Sequence, residues 1–352
     1  FYNRKAVCYN KLTGGFMNEY LQLFIDEEYP YFIDKYLDTK TLNRLKYVTQ
    51  FCGCDYTDLY SPLFLYTRYD HSLVVAHMTW HFTHNKKETI AALLHDVGTP
   101  CFAHCIDYVF GDYLKQETSE KKITDIIKQD KDLLMYLEED NVFLEDLESL
   151  KNYPILENKS PKLCTDRLDG VLHTCYIWLH TNSLEEIMKI YNNIGVLINE
   201  WGDKEIGFNN LKVAEEFVSL VYTYAKELQG NTDKYVMKYI SEIVKLSFEK
   251  RLLSLEDLYT KKESDLVKTF SNNFSSWEYF NKASNVIGVT EQPDNFYISF
   301  NTKKRNTIPL VNTSDSIARI INVSNYSRKI YSELENYQDT EFAYVKTIKR
   351  LY

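Results

Sequence analysis

The apolar run Ile90-Ala91-Ala92-Leu93-Leu94 ends in an adjacent His95-Asp96 pair, with Gly98 as a helix stop. Such a run belongs in a core, and an unpartnered carboxylate is costly to bury beside it. The pair also sits at the C-terminal end of its helix, where the dipole disfavours an anion. The fold must therefore bring a cation to Asp96. Imidazole and carboxylate together suit borderline to hard divalent ions such as Zn, Fe, Mn or Mg. Side chains of adjacent helix residues diverge by about 100°, but a helix end relaxes that limit and lets both reach one ion. Two other segments carry matching donors. Thr67-Arg68-Tyr69-Asp70-His71-Ser72 leads into an apolar helix over 73–82. Asp166-Arg167-Leu168-Asp169 lies near the start of another, with Ser160-Pro161 read as its N-cap and first-turn proline. His71 and Asp166 would complete a four-ligand set with room for water or a phosphate oxygen.

Composition is consistent with a folded, metal-bearing body. Of 352 residues, 44% are hydrophobic and 15% aromatic, enough for a real core and about two domains. No window approaches 18 uninterrupted apolar residues, which excludes a membrane-spanning helix. The net charge of −9 argues against a general nucleic-acid binder. All 8 histidines fall between His71 and His180, so the residue type most used for ligation and proton transfer is confined to one third of the chain. The 7 cysteines are odd in number and contain no CxxC pair. That usage predicts free core thiols in a reducing, cytoplasmic setting. No leader is legible.

Helical periodicity dominates to about residue 270, as in Val74, Val75, Met78 and Phe82, or Val236, Ile240, Ile243 and Leu246. Lys131–Glu148 reads as an acidic, solvated helix face. From about Ser275 the texture changes. Val286–Thr290 and Phe296–Phe300 read as strands around a turn at 291–295, Val311 ends a third, and Ser314–Asn322 and Ser327–Tyr337 return to helix. This predicts a mainly α fold: a large helical domain over 1–274, with the metal-site core at about 40–185, and a small α+β region over 275–352. The C-terminal region carries net +2 despite the acidic whole.

Together these segments resemble the HD superfamily of metal-dependent phosphohydrolases, whose ligand pattern is H…HD…D. The likeness is closest to the dNTP triphosphohydrolase branch, dGTPase-like enzymes built on an HD-domain helical bundle. Arg68-Tyr69-Asp70-His71-Ser72 is similar to its RFEHS, His95-Asp96-Val97-Gly98 to its HDLGH, and Asp166-Arg167-Leu168-Asp169 to its DRLDY. Thr41–Gln50 resembles its RL…Q helix, and Cys101-Phe102-Ala103-His104-Cys105-Ile106-Asp107 its PFSH segment. The resemblance implies one divalent ion (Mn, Fe, Mg, Zn, Co or Ni) on His71, His95, Asp96 and Asp166. It implies catalytic roles for His104, Asp107 and Glu117, and substrate contacts from Arg68, Gln50, Arg167 and Asp169. It also implies a homo-oligomer acting on a small-molecule phosphate ester or nucleotide.

The chain departs from that pattern at several positions. Thr99 stands for a histidine, Gln116-Glu117 for a His-Glu pair, and Gly170 and Thr174 for a tyrosine and an aspartate. Glutamine cannot transfer a proton at neutral pH. The expected function is therefore a metal-dependent phosphohydrolase, the alternative a catalytically weakened HD protein acting as a nucleotide-binding or regulatory module. Two further readings stay open. Arg68 either holds a substrate phosphate or forms an ion pair, and Lys303-Lys304-Arg305 either binds a phosphate or ends a solvated strand.

Overall fold

The computed structural model describes residues 19–25, 29–111, 122–314 and 316–351. Glu117 and Gln116 lie outside them. The fold is mainly helical, with short strands towards the C-terminus.

Helix α1 (Arg68–Thr83) is the centre of the body. Its residues are buried from Leu73 to Thr79 on every face, as expected of a helix surrounded by others. A capping box sets where it begins: the Asp70 backbone N–H donates to the Thr67 hydroxyl oxygen, and the Thr67 N–H donates to Asp70 at 2.9 Å. Asp70 is thereby committed to the helix start. His84, in the left-handed region at φ 47°, ends α1, and Asn85 caps α2 (Lys86–Leu94), which packs back along it. Helix α3 (His104–Val109) lies near residue 100, and α4 (Thr165–His173) runs into one π-helical turn, Thr174–Trp178. Two long helices, α5 (Leu211–Gln229) and α6 (Asn231–Glu249), meet at Gly230 and complete the bundle.

Ser160-Pro161 is not the start of α4. It is a cis peptide four residues ahead, and Cys164 is the N-cap, with no side-chain cap bond. The intervening loop has hydrogen-bond partners of its own, with the Asn158 amide donating to Pro154 and Leu163 carbonyls at 2.9 Å. The acidic stretch 131–148 is likewise broken, into Lys131–Glu139 and Leu144–Leu147, with Leu133, Leu137 and Leu147 buried.

Among the described residues, seven short strands form two sheets. The hairpin β1 (Ile194–Ile198) and β2 (Lys204–Phe208), not anticipated from the sequence, pairs Ile194 with Phe208 and Ile198 with Lys204. The other strands are β3 (Ile287–Val289), β4 (Tyr297–Ile298), β5 (Leu310–Asn312), β6 (Ile317–Arg319) and β7 (Phe342–Tyr344). Strand β5 joins β2 in parallel, giving the order β1-β2-β5-β6, so C-terminal strands extend a sheet begun at residue 194. A side chain at Gly207 would place its Cβ 2.8 Å from Leu310, so that close pairing requires glycine. The expected hairpin of β3 with β4 does not form, because both pair with β7. The Asn295 amide donates to the carbonyls of Val345, Lys346 and Ile348, which holds this terminal segment in place. Ser314–Asn322 begins as strand β6 rather than helix, because Arg319 is drawn to the fully buried Glu205 at 2.5 and 2.7 Å. Helix α7 (Asn325–Asn336) then packs on α5.

Glu205 also accepts from the Leu163 N–H, next to the start of α4. Arg319 therefore ties the C-terminal sheet to the helix that carries Asp166. Arg319→Ala leaves a buried carboxylate unpaired and is expected to lower unfolding free energy by about 3–5 kcal/mol in urea titration. Arg319→Met combined with Glu205→Gln, which removes both charges, is expected to recover most of that loss.

Candidate metal centre

His71 stands in the first turn of α1, His95 and Asp96 at the end of α2, and Asp166 in the first turn of α4. Three chain segments distant in sequence thus meet at one point. His71 Nε2 lies 3.0 Å from Asp166 Oδ1, 3.2 Å from His95 Nε2 and 3.9 Å from Asp96 Oδ2. His95 Nε2 lies 3.8 Å from Asp96 Oδ2 and 3.7 Å from Asp166 Oδ1. Ligand atoms about 2.1 Å from a common ion sit roughly 3–3.5 Å apart, so the spacing suits a single ion.

The proton positions make the case stronger. The Ala92 carbonyl can only accept, so at 2.7 Å the proton of His95 is on Nδ1. Asp169 Oδ2, 2.5 Å from His71 Nδ1, fixes the same tautomer there. Both rings therefore turn Nε2 lone pairs towards each other. Two acceptors at 3.2 Å repel unless a cation or a proton lies between them. This donor set fits a divalent metal, with each imidazole oriented by a hydrogen bond from its other nitrogen.

The carboxylates are held in their charged forms. Burial raises the Asp96 carboxyl, but Arg68, then His95 and His71, outweigh it and keep it well below the usual range. Arg68 Nη1 donates to Asp96 Oδ2 at 2.8 Å, and the Thr99 hydroxyl donates to Oδ1 at 2.9 Å. Thr99 thus supports Asp96 at the position where the resemblance predicts a histidine. Arg44 Nη2 donates to the carbonyls of Val97 and Thr99 at 2.9 and 2.7 Å, placing a cation against the turn that follows His95-Asp96.

No protein-family profile matches the chain. It is 26% identical over 289 residues to the uncharacterized protein YdhJ of Bacillus subtilis, covering 81% of this chain and 86% of that one. Among solved structures, a phosphohydrolase from Bacteroides thetaiotaomicron superposes with a TM-score of 0.61 at 15% identity, covering 95% of this chain and 98% of that one. A hypothetical protein from Aquifex aeolicus gives a TM-score of 0.50 at 15% identity, covering 95% and 94%. The fold is therefore shared with a phosphohydrolase.

The centre opens into a cleft of about 580 Å³. Gln50, Arg68, His104 and Arg167 line it. Gln50 Oε1 is buried with no hydrogen-bond partner among the described residues. His104 Nδ1 is 3.0 Å from Asp107 Oδ2, and burial, partly opposed by Asp107, lowers its pKa, so the ring is neutral at pH 7. Arg167 directs its donors to its own loop, at Glu157, Asn158 and Lys162. Asp169 lies beneath the centre, not in the cleft wall. It is fully buried and bonded to Tyr20, Tyr66, His71 and His173. Lys303-Lys304-Arg305 belongs to an irregular segment lining the cleft, not to the end of a strand. His77 and His81 pack on Tyr29 and Tyr191.

A metal titration is expected to show the proton that a cation replaces. Burial lowers the pKa of His71, but Asp166 and Asp169 outweigh it and push it up to about 10 from an ordinary 6.5. The metal-free protein is therefore protonated there at pH 7, and loading the site should release about one proton, measurable by calorimetry in two buffers of different ionisation enthalpy. The stabilisation from this raised pKa is complete below pH 6.5 and is lost as pH rises towards 10. Unfolding in EDTA should show that decline.

Proposed function

We propose that the chain is an HD-type metal-dependent phosphohydrolase that cleaves a phosphate ester of a nucleotide or deoxynucleotide. The observation that carries this reading is the convergence of His71, His95, Asp96 and Asp166, lone pairs inward, at the base of a cleft bearing Arg68 and His104. A divalent ion held there would supply positive charge for phosphoryl oxygens and acidify water. Arg68 anchors Asp96 and presents the rest of its guanidinium fork to a phosphate. His104, neutral and oriented by Asp107, accepts or relays a proton. Gln50 Oε1 offers an acceptor to a sugar or base. The reading includes a homo-oligomer, a cytoplasmic setting and a division near residue 274, with the C-terminal region contributing Arg305 to the cleft.

A second reading rests on Gly170 and Thr174, which line the cleft where the resemblance expects a tyrosine and an aspartate. It makes the protein a nucleotide-binding or regulatory module that keeps its metal. One experiment separates the two: a panel of dNTPs, NMPs and generic phosphoesters with Mn, Mg, Fe or Co. Turnover selects the enzyme. Absence of turnover together with thermal stabilisation by nucleotides selects the binder, and absence of stoichiometric metal rejects both.

A further inference from the structure

The cleft contains a carboxylate that the metal centre does not use. Asp233 is in the first turn of α6, lines the cleft and is 8% exposed. An acidic residue at this helical position ordinarily reaches back to the backbone N–H of the N-cap, as Asp70 does in α1 and Glu186 does after Ser183. Asp233 does not. Its side-chain partner among the described residues is the Tyr60 hydroxyl, which donates to Oδ1 at 2.5 Å. Tyr60 is itself fixed, its ring stacked on Trp178 with centroids 4.1 Å apart and planes 10° from parallel. Trp178 closes the π-helical turn after α4, a distortion that often marks functional positions. Tyr60 and Trp178 also line the cleft.

We propose that Asp233, oriented by Tyr60, is a specificity-determining acceptor for the amino-bearing edge of a nucleobase. Oδ1 is engaged by Tyr60, which leaves Oδ2 to receive a donor from the cleft. An incoming N–H directed at Oδ2 adds a charge-assisted hydrogen bond. Burial, reinforced by Glu227 and opposed by Tyr60 and Arg305, pushes the Asp233 pKa up to about 7, and a bound N–H donor, which favours the charged form, should draw it back down. The adjacent aromatic pair suits a planar ring. Guanine, adenine and cytosine present exocyclic NH2 groups. Uracil and thymine present an N3–H between two carbonyl oxygens, which a buried carboxylate repels. The inference rests on the nucleotide reading of the cleft and deepens it.

The test is equilibrium binding by calorimetry to the metal-loaded protein, using GMP, dGMP, CMP and UMP, and also guanosine and uridine. The wild type is expected to favour GMP and CMP over UMP by about 10- to 100-fold, the range of a hydrogen bond to a charged group. Asp233→Asn should bring that ratio close to one. Tyr60→Phe, which keeps the ring, should give an intermediate ratio and serves if Asp233→Asn does not fold. A wild type without base preference, or a preference unchanged in both variants, overturns the proposal. So does a loss confined to discrimination between ribose and deoxyribose, which would assign Asp233 to the sugar. Guanosine and uridine carry no phosphate. Base-selective nucleoside binding without any phosphate binding would sink the phosphohydrolase reading and leave Asp233 as a base reader.

Discussion

Asp169→Ala is expected to be among the most damaging single changes in the molecule, although Asp169 does not face the cleft. Its carboxylate receives Tyr20 at 2.5 Å, Tyr66 at 3.1 Å, His71 at 2.5 Å and His173 at 3.2 Å. Burial raises its pKa, but His173 and His71 hold it well below the usual carboxylate range. Truncation leaves four buried polar groups without their acceptor. An expected loss of about 3–5 kcal/mol follows from breaking a buried charge network, read from urea unfolding in EDTA. Metal affinity should fall roughly 10- to 100-fold, because His71 loses the bond that sets its tautomer. Asp169→Asn keeps the volume but presents an amide, so metal affinity should still fall while much of the stability returns. The depressed pKa gives the pH dependence a definite sign. Its stabilisation is complete above the ordinary value of 3.8 and is lost as pH falls through the lowered one. The acid limb of the wild-type stability curve should therefore flatten in Asp169→Ala. An unchanged metal titration would show that His71 does not ligate through Nε2.

His95→Ala is expected to abolish stoichiometric metal binding and to reduce phosphoester turnover by roughly a thousandfold or more, the scale of losing charge stabilisation worth about 4 kcal/mol. His180→Ala, altering an exposed residue outside the cleft, should do neither. Stability distinguishes this from general damage. In EDTA, His71 keeps its proton on Asp166 at 3.0 Å when His95 is removed, so the variant should lose little more than the His95–Ala92 bond, about 1 kcal/mol. With metal at about 100 times its dissociation constant, the wild type alone should gain about 2.7 kcal/mol. Equal metal stabilisation of both proteins would remove His95 from the ligand set.

Part of this architecture is legible locally. The run 90–94 with Gly98 announces the end of α2, and the apolar run 73–82 announces the body of α1, whose start five residues earlier is set by the Thr67–Asp70 capping box. Each donor lies within a turn of such a boundary, so a pattern of a few residues marks it. The resemblance implies a substrate contact for Asp169, whereas the structure buries it beneath the centre. That it supports His71 depends on the packing of α1 against α4, 98 residues apart in sequence. Arg44 and Thr99 gave no separate signal as supports, because their partners are backbone carbonyls and a carboxylate of another turn.

The sequence alone therefore determined the helical class, the end of α2 and the side chains able to serve as donors. These depend on periodicity, caps and the cost of burying charge within a few residues. Tertiary structure alone decided which donors converge, that Asp233 turns towards Tyr60 and the cleft, and that β5 joins β2 across about 100 residues. Short apolar runs mark β3, β4 and β5, but nothing local marks their partners, because β3 and β4 pair with β7 and β5 with β2. A buried carboxylate reads the same in sequence whether its partner is a helix cap, an imidazole or a cleft. Only the packing, which sets where each polar atom finds its hydrogen bond, tells these apart.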